Sequence, residues 1–127
     1  MTKTTISTEN APTPVAAYAQ AARKGNILQV AGQVGLDPAT GEVAGGTVAE
    51  QARQTVRNLE AVLKAAGASL DDVVMMRVYL TDTGHFAEFN ETYNALVREP
   101  FAARTTVYVG LPAGLLVEID ALAVLDS

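Results

Sequence analysis

Cysteine is absent from these 127 residues. That removes disulfides, thiolate nucleophiles and cysteine metal sites together, and it fits a reducing, cytoplasmic setting. Histidine occurs once, at His85. A zinc centre wants three or four N, S or O ligands, so no metal site is expected. His85 follows Thr81-Asp82-Thr83-Gly84 at a helix start and reads as a solvated first-turn residue. No apolar run approaches the roughly 18 residues of a membrane span. The first ten residues lack the apolar stretch of a signal peptide. Basic clusters are lacking as well: nine Lys and Arg, scattered along the chain, stand against fourteen Asp and Glu for a net charge of -5. Neutralising phosphates supplies most of the affinity of nucleic-acid binders. Neither nucleic acid nor a membrane is therefore an expected partner.

What is present is enough apolar material for one core. Apolar residues make up 49% and charged residues 18%, which excludes global disorder and predicts a single domain over 1–127. Residues 1–26 read as irregular, broken by Pro12 and Pro14, with a short strand or turn around Tyr18. Ile27–Gly32 is a strand, and Asp37-Pro38-Ala39-Thr40-Gly41 turns a hairpin or protruding loop over 34–44. Val48, Ala52, Val56, Leu59, Leu63 and Ala66 form a helical stripe, started by a Thr47/Glu50 capping box and ended at Gly67. Val73–Leu80 is a strand. A second helix carries Phe86, Phe89, Tyr93, Leu96 and Val97 on one face and stops before Pro100. Thr105–Val109 and Leu116–Leu125 are the final strands.

Strands, helix, strand, helix, strands: this order predicts an α+β domain, one sheet with both helices packed on a single face. Alternation in the last strand turns Val117, Ile119, Ala121, Ala123 and Leu125 toward the helices. Leu116, Glu118, Asp120, Leu122 and Val124 then share the other face. Three large apolar residues beside two acids are poorly served by water, and the mean hydropathy of +0.17 is high for a small monomer. A homo-oligomer that buries this face is expected.

Arg104 and Glu118 are the candidate reactive pair. A guanidinium grips a carboxylate with two parallel hydrogen bonds, which lysine cannot copy, and a nearby carboxylate can manage a water or a proton. The last two strands read as an antiparallel β-hairpin, and opposing 104 or 106 to 118 puts both side chains on one face. Burial raises the pKa of Glu118 and Arg104 lowers it, so the sequence leaves its protonation open. Glu118 equally suits an ion pair at a subunit interface, and Arg104 a strand-end cap.

The ordered set Thr8-Glu9-Asn10-Ala11-Pro12, Tyr18, Ala31-Gly32-Gln33, Asp37-Pro38-Ala39-Thr40-Gly41-Glu42, Gln51-Ala52-Arg53-Gln54, Ala65-Ala66-Gly67, Asn90-Glu91-Thr92-Tyr93, Ala103-Arg104 and Val117-Glu118-Ile119 resembles the RidA/YjgF family of imine and enamine deaminases, from about residue 5 to 124. The resemblance implies a chorismate-mutase-like fold, assembled as a homotrimer around a central barrel with active sites between subunits. It implies cofactor-free hydrolysis of 2-imino or 2-enamino acids such as 2-aminoacrylate to 2-keto acids and ammonia. By the same resemblance Arg104 binds the substrate carboxylate, Glu118 positions water, and Tyr18 and Asn90 line the cleft. Gly32 lets its backbone N–H approach the substrate, which a residue without a side chain permits.

The chain departs from the pattern at Ala31, where the best-known members place a serine, and at Thr106, where a cysteine is frequent. Ala102-Ala103-Arg104 replaces Pro-Ala-Arg, and the loop before Glu118 is one residue shorter. Losing the serine hydroxyl removes a charge-assisted hydrogen bond of roughly 1.5–3 kcal/mol. Four readings stay in play: the deaminase, including a divergent one recruited to a biosynthetic step; a non-catalytic trimer binding small carboxylates; a ribonuclease; and a chorismate mutase. The charge balance opposes the third. The fourth needs several cations in one cleft, and fold alone does not establish activity.

Overall fold

Thr47 starts the first long helix as the sequence predicts. Its hydroxyl accepts from the Glu50 N–H while the Glu50 carboxylate accepts from the Thr47 N–H, so two otherwise unpaired donors are satisfied at once. In the computed structural model, which describes residues 2–126, this helix α1 runs Val48–Ala65, and Gly67 follows it at φ +77°. Met1 and Ser127, the ends of the predicted domain, lie outside the described residues. The strands are β1 Thr4–Ile6, β2 Ala21–Lys24, β3 Ile27–Val34, β4 Val73–Leu80, β5 Ala103–Tyr108 and β6 Val117–Val124, with helix α2 at Phe86–Leu96. Short 3-10 turns, Leu70–Asp72 and Thr83–His85, precede β4 and α2.

One six-stranded sheet results, in the order β1-β2-β3-β6-β4-β5. All neighbours are antiparallel except β4 and β5, which run parallel. The parallel pair is joined through α2, since such a pair needs a crossover of about a dozen residues or more. The sequence reading missed β1 and β2, which are short and lack an apolar alternation. Their entry is fixed by Gln20, a buried amide. It accepts from the Thr8 N–H and donates to the carbonyls of Thr8 and Pro12. The expected loop over 34–44 is present, closed by a bridge between Leu36 and Val43 and by the Asp37 N–H donating to the Glu42 carbonyl.

The expected hairpin between the last two strands is not formed. β6 inserts between β3 and β4 and leaves β5 at the sheet edge, paired only to β4. Periodicity reports which face a residue takes, not which strand lies alongside. Every helix-facing residue of β6 from Val117 to Ala123 is buried, which suits a central strand better than an edge. Both helices cover this face, and the core forms from Leu28, Val30, Val56, Leu59, Leu63, Val78, Leu80, Phe89 and Ile119. No described helix is long and apolar enough to cross a membrane.

Two amides on α1 do what a heptad reading does not show. Gln51 is fully buried; it donates to the carbonyls of Gly45 and Gly114 and accepts from the Leu116 N–H. Asn58 donates to the carbonyls of Val34 and Leu36. Together they tie the loops entering α1 and β6 to the helix, so buried backbone groups outside the ladders find partners. Gly35 lets the chain pass close by, because a Cβ there would lie 2.8 Å from the Gln51 backbone.

Gln51→Leu keeps the volume and strands one N–H and two carbonyls. A loss of about 2–4 kcal/mol in unfolding free energy is expected, read as a lower urea midpoint with an unchanged slope. A midpoint equal to wild type would show that these loops are held by other means.

Candidate active site

The site begins at the sheet edge. Arg104 in β5 is paired with Met76 of β4 and so points toward the helices, as Met76 does. There α2 presents Phe86, Phe89 and Tyr93 at three- and four-residue spacing. The Arg104 guanidinium carbon lies 5.0 Å from the Tyr93 ring centroid, 5.6 Å from Phe89 and 5.9 Å from Phe86. Cation–π attraction holds the fork against these rings, and Nη2 donates to Asn90 Oδ1 at 2.7 Å. Burial pushes the Tyr93 phenol upward, with Arg104 opposing it. Arg104 and Asn90 line a cleft of about 730 Å³ with Tyr93, Leu96, Pro100 and Phe101. Thr106, two residues along on the same face, has a buried hydroxyl without a hydrogen-bond partner among the described residues.

The carboxylate lies elsewhere. Glu118 in the central strand β6 is paired with Val34 on one side and Tyr79 on the other, on the face away from the helices. Its carboxylate rests against Gly32, where no side chain intervenes. Among the described residues no group donates a hydrogen bond to it. Partial burial raises its pKa above the ordinary value, and the neighbouring Asp120 charge raises it further. Asp120 is itself engaged: Arg77 Nε donates at 2.6 Å and the Tyr79 hydroxyl at 2.7 Å, while Arg77 Nη2 reaches Gln29. Ala31 and Tyr18 line a separate hollow of about 510 Å³ with Lys3, Thr5 and Gln29. The Ala31 N–H is taken up by the Gln20 carbonyl, and Tyr18 is half exposed.

The candidate residues thus fall into two groups. Arg104, Asn90 and Thr106 lie on the helix side at the β5 edge. Glu118 and Gly32 lie on the other face of the sheet, and Tyr18 and Ala31 line the hollow beside β2 and β3. The expectation that a shared ladder puts Arg104 and Glu118 on one face is overturned. Arg104 pairs with Met76, Met76 pairs with Ala121, and Ala121 stands an odd number of positions from Glu118. Alternation then sends the two side chains to opposite sides. Sequence reasoning also missed the Arg77–Asp120–Tyr79 network and the aromatic seat of Arg104. The stripe Phe86, Phe89, Tyr93 was legible as core, but the strand that meets it was not. His85, expected in solvent, is partly buried and its Nδ1 has no partner among the described residues.

Residues 8–125 match the family model described as Endoribonuclease L-PSP. A RutC family protein of Pyrococcus horikoshii is 47% identical over 95% of this chain and 97% of its own length. The 2-iminobutanoate/2-iminopropanoate deaminase of Rattus norvegicus is 41% identical over 94% of this chain and 88% of its own. Among solved structures, RidA of an Antarctic Psychrobacter superposes with a TM-score of 0.92 at 43% identity, covering 96% of this chain and 99% of that one. The YjgF gene product of E. coli gives 0.90 at 42%, covering 95% and 98%.

The folded protein holds a proton on Glu118 more tightly than the unfolded chain does. Stability contributed at this position is therefore lost as pH rises from the ordinary 4.5 through the raised folded value. Glu118→Gln lacks that loss. Urea midpoints between about pH 4 and 7 are expected to rise for the variant relative to wild type as pH increases across this window. A difference independent of pH would mean that burial does not perturb Glu118.

Proposed function

Because the chain belongs to the Endoribonuclease L-PSP family, the group of RidA and YjgF, we propose that it hydrolyses 2-imino and 2-enamino acids to 2-keto acids and ammonia. The observation that carries this reading is that both charged groups keep hydrogen-bonding capacity the chain does not use. Among the described residues Arg104 has one hydrogen-bond partner, Asn90, and Glu118 has none. A fork held by rings and a donor-free, partly buried carboxylate suit a small anionic substrate and a water.

In this mechanism an enamine first tautomerises to the imine. Arg104 holds the substrate carboxylate with two parallel hydrogen bonds, and Asn90 fixes the orientation of the fork. Glu118 takes a proton from the attacking water as its oxygen bonds to C2, giving a carbinolamine. The same proton passes to the nitrogen, the hydroxyl proton then follows it there through Glu118 as the C2=O bond forms and the C2–N bond breaks, and ammonia leaves with the keto acid. The balance needs water alone, and no cofactor enters it. The Tyr18 hydroxyl, the Gly32 N–H and the Thr106 hydroxyl are the further groups offered to substrate or water, with Ala31 beside them.

Since one copy directs Arg104 and Glu118 to opposite faces, the site forms between copies. We place it in the clefts of a cytoplasmic homotrimer, in which the open sheet face is buried around a central barrel. This face carries Met75, Tyr79 and Leu122 beside Glu118 and Asp120, an unfavourable mixture for water. A second reading, a trimer that binds small carboxylates without turning them over, draws support from Ala31 and Thr106. Calorimetric binding of 2-keto acids with no turnover distinguishes it. The ribonuclease sense of the family description gains nothing from a net charge of -5.

Arg104→Ala and Glu118→Gln are each expected to lower kcat/KM on freshly generated 2-aminoacrylate by roughly 10²–10⁴-fold, with Arg104→Lys a poor substitute. Refolding the two inactive variants together is expected to restore part of the activity, because mixed assemblies rebuild a site from one intact arginine and one intact glutamate. Mixed assemblies that form and stay inactive would overturn the intersubunit site. Wild-type protein that fails to accelerate hydrolysis of any imino acid would overturn the function.

A further inference from the structure

Gly32 stands in an irregularity of β3. Val30 pairs with Ala121 and Gln33 with Ile119, so Ala31 and Gly32 together oppose the single residue Asp120. One extra residue in a strand is a β-bulge, which re-aims the side chains around it. Regular alternation from Leu28 and Val30 would turn residue 32 toward the helices. Instead Gln33 takes the helix side and is buried, and the Cα–H of Gly32 that a side chain would replace points at Glu118. A Cβ at this position would fall on Glu118 Oε2, 2.9 Å from its Cδ and 3.2 Å from its Cγ.

We propose that Gly32 is a positioning residue for Glu118: the bulge keeps a space on β3 that the carboxylate occupies, and this seat fixes where the acid meets water. The proposal rests on the reading of Glu118 as the water-handling group, and it gives Gly32 a task other than offering its N–H. What a side chain at 32 meets is the free end of a flexible side chain, so the fold survives and the carboxylate is evicted. Gly35 is the counterpart in the same strand region. A Cβ there meets the Gln51 backbone at 2.8 Å, so Gly35→Ala strains the packing of α1 and leaves Glu118 in place.

Within one copy, the described groups facing Glu118 are few. Asp120 adjoins it on β6. From β4 come Tyr79, paired to it, and Arg77, ion-paired to Asp120. From β3 come Gln29, Ala31, Gly32 and Val34, none of which titrates. An evicted carboxylate leaves its partly buried seat and moves away from Asp120, so its proton affinity falls.

The test is Gly32→Ala, with Gly35→Ala and Glu118→Gln as references, all in the full chain. The Glu118 carboxyl is titrated by ¹³C NMR. In Gly32→Ala its midpoint is expected to fall from the wild-type value toward the ordinary 4.5, while Gly35→Ala titrates as wild type. On imino-acid substrates Gly32→Ala is expected to lower kcat about tenfold or more with a smaller change in KM, and to add nothing in a Glu118→Gln background. An unchanged midpoint overturns the seat. So does a raised KM with kcat intact, which would assign Gly32 to substrate contact. The titration needs no substrate: a shifted midpoint in a protein without turnover supports the seat and counts against the deaminase reading alone.

Discussion

The position of β6 between β3 and β4 is the constraint from which the rest follows. As the central strand it has hydrogen-bonded partners on both edges and helices over one face. Its alternation therefore sorts residues into two environments. Val117, Ile119, Ala121 and Ala123 seal the core under α1 and α2, while Glu118 and Asp120 are carried to the side that no helix covers. Once β6 is central, β5 is at the edge. The arginine it bears is then confined to the helix side, where α2 has rings to receive it.

Chemistry follows from this division. A guanidinium and a carboxylate on the same face of adjacent strands attract and neutralise each other, which leaves neither available for substrate. Here the sheet lies between them. Arg104 is satisfied in part by aromatic faces and one amide oxygen, and Glu118 is left, among the described residues, without a donor and beside another acid. Both retain the capacity to act on something that is not part of their own chain. Partial burial raises the proton affinity of Glu118, and Asp120, held in place by Arg77 and Tyr79, raises it further as a neighbouring acid.

Several features were legible because they are local. The Thr47–Glu50 capping box, the Gly67 stop, the stripe on α1 and the apolar face of β6 need only a period and a cap. Arg104 and Glu118 stood out by residue type. The elements that escaped depend on distant partners. Thr4–Ile6 is a strand because Ala21–Lys24 lies beside it, and Gln20, Gln51 and Asn58 are buried because loops far along the chain present carbonyls to them. The Arg104–Glu118 ladder failed for the same reason: strand order is settled by which strand fills the centre of the sheet.

The sequence by itself determined the class of fold, the two helices and both ends of α1, the face each residue of β6 takes, and the family; α2 ends at Leu96, with Val97, read as part of its face, already extended. All of these are encoded in spacing and in residue identity over short range. Only the tertiary structure decided that β4 separates the arginine from the acid, that a bulge seats the acid against Gly32, and that three rings hold the arginine. These depend on strand order and on the burial of one surface against another, and no window of neighbouring residues carries that information.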